Sequence, residues 1–155
     1  MLELRALQPA DAARVQEFVR GLSPRSRLER FFTPLNELSP AQLFRITSGQ
    51  GLSLAAVVGN ERIIGLAEYF RVRRGEVEFA VVVADDWQGQ GLGEQLLRAL
   101  LEHASRAGVE RVGGVTRIGN RPMRALARKL GFGITRDEDP ELLRMERTAP
   151  LQVAG

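Results

Sequence analysis

The sequence contains no cysteine, and several other reactive residue types occur only once. Without cysteine there is no disulfide framework, no thiol nucleophile and no cysteine-based metal site. Among the 22 basic residues Lys129 is the single lysine, and the chain has one histidine, one tryptophan and one tyrosine. No hydrophobic run reaches membrane-spanning length, and the N-terminal MLELRALQ lacks the basic and apolar regions of a signal peptide. A cytoplasmic location and no membrane partner are therefore expected.

The overall composition is that of an ordinary globular chain. Its 155 residues are 44% hydrophobic and 26% charged, which suits one domain with a substantial core. The net charge is only +3, and the basic residues are spread along the chain, so no nucleic-acid partner is expected. There is no internal repeat or linker. We expect a single domain over residues 1–148 and a loose C-terminal tail over residues 149–155.

The stretch from Glu76 to Gly93, EVEFAVVVADDWQGQGLG, joins a strand pattern to a glycine-rich turn. The valines at positions 81–83 predict a strand that is buried on both faces. Glycines at 89, 91 and 93 allow the backbone to turn tightly and to approach a ligand closely. Apolar residues then recur at helical spacing, namely Leu92, Leu96, Leu97, Leu100, Leu101 and Ala104. The turn thus places free N–H groups at a helix N-terminus, where an anion can bind.

Two common phosphate-binding motifs do not fit this turn. A P-loop needs Lys and then Ser or Thr after its last glycine, whereas Glu94 and Gln95 follow here. The dinucleotide motif GxGxxG fails because the sixth position counted from Gly89 is Glu94, and that motif normally follows the first strand of its unit. A glycine-rich helix entry without any ligand remains open on the turn alone.

The remaining elements follow from apolar periodicity and capping residues. The sequence predicts a first strand, three helices of which two begin at Ser-Pro pairs, three extended runs, the glycine turn with its helix, a strand, a helix and two terminal strands. The three extended runs follow a turn at 49–51, and the short links between them, at 60–61 and 74–75, favour antiparallel hairpins. This order predicts an α/β fold whose mixed sheet carries helices on its faces.

Two segments resemble motifs of the GCN5-related N-acetyltransferase (GNAT) family. The segment Gln88 to Gly93 matches its pyrophosphate loop Q-x-x-G-x-G, and the segment Asn120 to Phe132 resembles its N-x-x-A-x-x-L-x-x-x-x-G-F motif, which lines the pantetheine and thiol end of the cofactor. The element order is also that of the family. The resemblance implies a central, mostly antiparallel twisted sheet flanked by helices, acetyl-CoA as the acetyl donor, and no metal.

Within the family, the chain looks most similar to the acetyltransferase domains of bacterial protein-lysine acetyltransferases. The segments that carry this resemblance are Leu22 to Thr47, Asn120 to Met123 and Ala127 to Phe132. This resemblance implies a protein lysine as the acceptor. Those domains are often fused to an acyl-CoA synthetase-like region, whereas a single domain is expected here, so a small amine is an alternative acceptor. A non-catalytic acyl-CoA-binding regulatory domain is a third hypothesis, and a homodimer is left open.

The resemblance also implies the residues that bind the cofactor. Backbone groups of Val81 and Val83 are expected to pair with the pantetheine amides, and Asn120 with the pantetheine or nearby waters, with Met123 beside it. The pyrophosphate would lie against backbone amides of Gln88, Gly89, Gln90, Gly91, Leu92 and Gly93. Arg98, Arg124 and Arg128 are equal candidates for the adenosine phosphate.

Transfer to an amine needs a base, because an alkylamine is almost wholly protonated at neutral pH. Glu78 is the predicted catalytic base, because similar acetyltransferases place their catalytic glutamate ten positions before Gln88. Desolvation on a largely apolar strand would also make its carboxylate more ready to accept a proton, as a base must. Glu76 and Glu68 are the alternatives.

Many relatives use a tyrosine in the second motif to protonate the leaving thiolate, but the corresponding position here looks like Ala127. The single histidine, His103, falls opposite the apolar stripe of its helix and is expected to be solvated.

Overall fold

The computed structural model describes residues 1–49, 51–59 and 61–152. Its seven strands are β1 (Glu3–Ala6), β2 (Gly51–Val58), β3 (Arg62–Arg73), β4 (Glu76–Val83), β5 (Arg111–Arg117), β6 (Gly133–Arg136) and β7 (Leu142–Thr148). Its five α-helices are α1 (Ala12–Gly21), α2 (Pro24–Phe31), α3 (Pro40–Ser48), α4 (Leu92–Arg106) and α5 (Arg121–Lys129). Gln50 of the predicted turn, Asn60 of the predicted hairpin link and the tail residues 153–155 lie outside the described residues.

The two Ser-Pro pairs begin helices as predicted. The Ser23 hydroxyl accepts a hydrogen bond from the backbone N–H of Ser26 at the start of α2. At the start of α3, Ser39 accepts from the N–H of Gln42, whose side chain accepts in return from the N–H of Ser39. These contacts satisfy N–H groups that a helix cannot pair internally, and they stabilise the first turns of α2 and α3.

The strands form one sheet in the order β1-β2-β3-β4-β5-β7-β6. All neighbours are antiparallel except β4 and β5, which run parallel. The predicted mixed, mostly antiparallel sheet with flanking helices is confirmed.

The parallel pair β4 and β5 separates along its length. Only Glu76 to Glu78 of β4 pair with Arg111 to Gly113 of β5. Beyond that point β4 stays paired with β3 as far as Val83, and β5 stays paired with β7 as far as Arg117. Each strand therefore has an edge that faces the other across a cleft, and this cleft positions the candidate site.

Two apolar cores lie on opposite faces of the sheet. One contains α4 and the buried side chains of α5, and the other lies under α1 and receives Leu38 and Val82. Val82 and Val83 belong to different cores, so the predicted burial of this strand on both faces is confirmed.

Leu151 of the C-terminal tail is only 1% exposed and packs in the first core. The expectation of a loose tail is therefore wrong at this residue, because an apolar side chain there has a site to fill.

Candidate functional site

The turn after β4 leads into the N-terminus of α4 through two left-handed glycines. Gly89 has φ of 77° and Gly91 has φ of 85°, a region that residues with a side chain rarely adopt. Gly91 is the N-cap of α4 and has no side chain to cap the first N–H groups of the helix. The first intrahelical bond runs from the N–H of Gln95 to the carbonyl of Gly91. The amides of residues 92–94 are thus free of partners within the helix, and they can bind an anion.

A polar network fixes this turn to helix α2. Asp85 accepts hydrogen bonds from the backbone N–H and hydroxyl of Ser23, at 2.9 and 2.7 Å, and from the hydroxyl of Ser26, at 2.9 Å. The Gln88 amide nitrogen donates to the Ser26 hydroxyl at 3.1 Å and to the Val83 carbonyl at 2.9 Å. The Gln88 side chain therefore has a positioning role that the sequence motif did not specify.

The charge of Asp85 is stabilised by this network. Desolvation acts to raise the pKa of the Asp85 carboxyl group, but the hydrogen bonds from Ser23 and Ser26 outweigh it and hold the pKa below its usual value. The carboxylate is therefore an acceptor at any pH near neutrality, and it keeps α2 next to the glycine turn.

A cavity of about 240 Å³, here called the loop pocket, opens between the glycine turn, α2 and α5. Its lining includes seven of the predicted cofactor-binding residues, namely Val81, Val83, Gln88, Gly89, Gly93, Asn120 and Met123. Gln90 and Gly91 lie exposed on the turn. Leu92 is 3% exposed, so its side chain belongs to the core and only its backbone can meet a ligand.

A second cavity of about 160 Å³, here called the inner pocket, continues along the cleft between β4 and β5. Glu29, Arg30, Val81, Asn120 and Met123 line both cavities. The inner pocket also reaches residues from both diverging strands and from β7, namely Glu78, Phe79, Ala80, Val115, Thr116 and Met145. The two cavities together connect the glycine turn with Glu78.

Glu78 lines the inner pocket and is paired with Arg144 of β7. The guanidinium donates two hydrogen bonds, at 3.0 Å to Oε1 and 2.6 Å to Oε2. The Glu78 carboxylate raises the pKa of the Arg144 guanidinium, although desolvation opposes the shift. The sequence suggested apolar surroundings for Glu78, whereas the structure provides a charged partner from a distant strand.

Gly113 makes room for this ion pair. A Cβ atom at Gly113 would lie 2.5 Å from Glu78 Oε2 and 2.7 Å from Arg144 Nη2. On the other face of β5, a Cβ at Gly114 would lie 2.7 Å from the ring of Phe79. Gly113 therefore allows side chains of β4 and β7 to meet across β5, and Gly114 leaves space for the Phe79 ring.

The two alternative glutamates also have cationic partners. Glu68 forms an ion pair with Arg30 of α2, whose guanidinium lies 4.6 Å from the centre of the Phe31 ring. Desolvation lowers the pKa of Arg30, although Glu68 opposes the shift. Glu76 lies 3.5 Å from Arg73 and 3.4 Å from Arg111, outside the two pockets.

The second motif supplies the start of α5. The Asn120 side-chain oxygen caps this helix by accepting from the N–H of Met123 at 3.2 Å. Ala127, at the place of the family's tyrosine, is fully buried. His103 is exposed on α4, as predicted.

The three arginines that are candidates for the adenosine phosphate have different surroundings. Arg98 lies 2.9 Å from the carboxylate of Glu94, with which it forms an ion pair. Arg124 donates to the Ile118 carbonyl, and Arg128 is exposed on α5.

Sequence reasoning missed Arg30, Asp85, Thr116 and Arg144. No local motif marks them, because each acquires its place through contacts between distant elements. One signal was present: adjacent glycines inside a strand, at 113 and 114, indicate close approach of neighbouring groups.

Comparison with known proteins identifies the family of this chain. The family model described as acetyltransferase (GNAT) domain matches residues 1–133. The chain belongs to the GNAT acetyltransferase family. Acetyltransferase PA5475 of Pseudomonas aeruginosa is 37% identical over 153 residues, which cover 94% of this chain and 82% of that protein. The predicted family and the class of N-acetyltransferase are therefore confirmed.

A second curated relative is named for a small-molecule acceptor, and a solved GNAT domain has a similar fold. The L-methionine sulfoximine/L-methionine sulfone acetyltransferase of Pseudomonas paraeruginosa is 38% identical over 96 residues, covering 59% of this chain and 55% of that protein. The GNAT domain of S. lividans PAT is 26% identical and superposes with a TM-score of 0.89, covering 95% of this chain and 90% of that one.

The acetyl donor of the family agrees with the sequence-based expectation. A GNAT superfamily phosphinothricin acetyltransferase from Sinorhizobium meliloti, 22% identical with a TM-score of 0.76 and coverage of 95% and 88%, is described in complex with acetyl-CoA. Acetyl-CoA as the donor is confirmed at the level of the family. Within residues 1–49, 51–59 and 61–152, no helix is long and apolar enough to cross a membrane, and no three His, Asp or Glu side chains are grouped to hold a metal ion.

Proposed function

We propose that this GNAT enzyme binds acetyl-CoA along the cleft between β4 and β5 and transfers its acetyl group to the ε-amine of a protein lysine. The observation that carries the proposal is the separation of β4 from β5, which leaves two joined cavities from the glycine turn to Glu78. The sequence-based expectation of a cytoplasmic enzyme is part of the same proposal.

The cofactor would lie along the cleft in one direction. Its pyrophosphate would meet the amides of the turn and the N-terminus of α4. The backbone edge of β4 at Val81 and Val83 would pair with the pantetheine amides, with Asn120 and Met123 opposite. The thioester would then reach the inner pocket beside Glu78.

Glu78 would act as the general base for the acceptor. A carboxylate has about four lone-pair sites, and the two hydrogen bonds from Arg144 occupy two of them. The side chain is 19% exposed, so an amine or a bridging water can reach the remaining sites. Arg144 would act as a positioning residue, since it holds the carboxylate in one orientation.

The charges of the inner pocket favour a lysine side chain over a free amino acid. Among the described lining residues the carboxylates are Glu29 and Glu78, which pair with Arg25 and Arg144, and the cation is Arg30, which Glu68 already neutralises. An amino acid would bring its own carboxylate and find no unpaired cation in this lining. Phe32 and Phe70 are 40% and 49% exposed at the pocket and can flank an alkyl chain.

The experiment is a thiol-release assay with acetyl-CoA and matched acceptors. A lysine blocked at both its α-amine and its carboxyl group should be acetylated with a higher kcat/KM than free L-lysine, because only the ε-amine and the alkyl chain remain. Peptides with an internal lysine should react likewise. Acetylation of free amino acids but not of the blocked lysine would contradict the proposed acceptor.

A small amino-acid acceptor is the second candidate. It is favoured by the 38% identity to the methionine sulfoximine/methionine sulfone acetyltransferase. L-Methionine sulfone therefore belongs in the same assay. If acetyl-CoA binds but none of the acceptors leads to release of free CoA, the domain binds acyl-CoA without catalysis.

A further inference from the structure

Thr116 lies where β5 has already separated from β4. The last residue of β5 that pairs with β4 is Gly113, and Thr116 is three positions further along the strand. Because side chains alternate along a strand, Thr116 shares the face of Gly114, against which the Phe79 ring packs. The residue lines the inner pocket together with Met123 and Met145.

The hydroxyl group of Thr116 has no hydrogen-bond partner in the part of the chain that the structure describes. The residue is 2% exposed, and among the described residues no group makes a hydrogen bond with its Oγ1. Buried side-chain oxygens are nearly always paired, since an unpaired one costs stability. A buried, unpaired hydroxyl that lines the inner pocket therefore points to a bound ligand as its partner.

The position along the cleft identifies the part of the ligand. Under the proposed function, the pyrophosphate lies at the glycine turn and the chain of the cofactor extends toward Glu78. Thr116 lines the inner pocket but not the loop pocket, so it lies at the thioester end. At that end two atoms gain negative charge during transfer, the carbonyl oxygen as the amine attacks and the sulfur as it leaves, and Ala127 supplies no donor to the sulfur.

We propose that the Thr116 hydroxyl donates a hydrogen bond to the sulfur of acetyl-CoA and stabilises the departing thiolate. In the reaction, the amine nitrogen forms a bond to the acetyl carbon as the carbon–sulfur bond breaks. The electron pair of that bond stays on sulfur, which accepts the hydrogen bond from Thr116. The proton that the amine loses passes to Glu78 and then to solvent. The thiolate takes its own proton from solvent after release, so the step requires no further reactant.

Two nearly isosteric variants isolate the hydroxyl group. Thr116→Val keeps the shape but removes the donor, and Thr116→Ser keeps the donor but removes a methyl group. A hydrogen bond to a charged group is lost in the valine variant, so its kcat should fall by about 10- to 100-fold while the affinity for acetyl-CoA holds. The serine variant should retain kcat within a few-fold.

Stability should change in the opposite sense from activity. Without ligand, valine replaces a buried unpaired hydroxyl, so Tm should rise by about 2–4 °C. A residue with only a structural role would lose stability and activity together. A fall in Tm for Thr116→Val would contradict the inference, because it would show that the hydroxyl already has a partner in the protein.

The bound product gives an independent readout. CoA bound to the wild type should ionise at lower pH than CoA bound to Thr116→Val, by about 1–2 pH units, as followed by the ultraviolet absorbance of the thiolate. Equal ionisation, or a weaker affinity for acetyl-CoA with unchanged kcat, would overturn the assignment to sulfur. The inference rests on the proposed function, but their failures differ: a wild type that binds acetyl-CoA and acetylates nothing refutes the function, whereas an active wild type matched by Thr116→Val refutes only the role of Thr116.

Discussion

Gly113 contributes to the site through the side chain that it lacks. Its position leaves space for the Glu78 carboxylate and the Arg144 guanidinium to meet above β5. Gly113→Ala would place a Cβ atom 2.5 Å from Glu78 Oε2, so the ion pair has to shift. Because a displacement of about 1 Å at a catalytic group can cost about 10²-fold in rate, turnover should fall by that order. Thiol release under saturating acetyl-CoA measures it.

Gly119→Ala is the matched control for Gly113→Ala. A Cβ atom at Gly119 meets nothing within 4 Å, so this variant should leave both turnover and stability close to wild type. Wild-type turnover in a folded Gly113→Ala variant would show that the geometry of the ion pair does not matter for the reaction.

At the residue scale, the sequence indicated which carboxylate faces the site but not its surroundings. The spacing from Gln88 led to Glu78, and the structure places Glu78 in the inner pocket. Arg144 lies 66 positions later in the chain, and its contact with Glu78 depends on the pairing of β5 with β7. Such a partner cannot be read from local sequence, since it follows from the sheet order.

At the scale of elements, the turn before α4 separates backbone strain from ligand contact. Gly91 has φ of 85°, so Gly91→Ala should cost about 1–2 kcal/mol of stability. At Gly93 φ is not left-handed and the nearest atom to a new Cβ is Leu126 Cδ2 at 3.7 Å, so Gly93→Ala should fold normally. Both variants should bind acetyl-CoA more weakly if the backbone approaches the pyrophosphate.

Titration calorimetry and thermal unfolding together distinguish these effects. The expected pattern is a lower Tm only for Gly91→Ala and a raised Kd for both variants. An unchanged Kd for Gly93→Ala, and for Gly93 replaced by a bulky residue, would show that the pyrophosphate does not lie against this turn.

Helices and strands were predicted well because their signals are local. Ser-Pro pairs, apolar periodicity and glycine turns are all read within a few residues, as for α2 and α3. The cleft could not be predicted in this way, since it depends on where the pairing of β4 and β5 stops. The buried Leu151 was missed for a similar reason: its packing site is formed by elements far away in the sequence.

At the scale of the whole molecule, ligand choice tests the site without any mutation. A ligand that binds only the folded protein at about 100 times its Kd stabilises it by about 2.7 kcal/mol. For a chain of this length the gain corresponds to a rise in Tm of ~5–10 °C. Acetyl-CoA should produce such a rise, whereas ATP and NAD should not, because the turn lacks the lysine of a P-loop and the spacing of a dinucleotide site. Equal or larger shifts with ATP or NAD would contradict the assignment of the cleft to acetyl-CoA.

The most direct test of the account is the turnover of Glu78→Gln with a lysine acceptor and saturating acetyl-CoA. Glutamine keeps the shape of the side chain but cannot take a proton. Affinity for acetyl-CoA should therefore hold while kcat falls by about 10²–10⁴-fold. Raising the pH should recover part of the loss, because more of the acceptor amine is then already neutral. If Glu78→Gln stays within a small factor of an active wild type at every pH, Glu78 is not the base and the proposed mechanism is wrong.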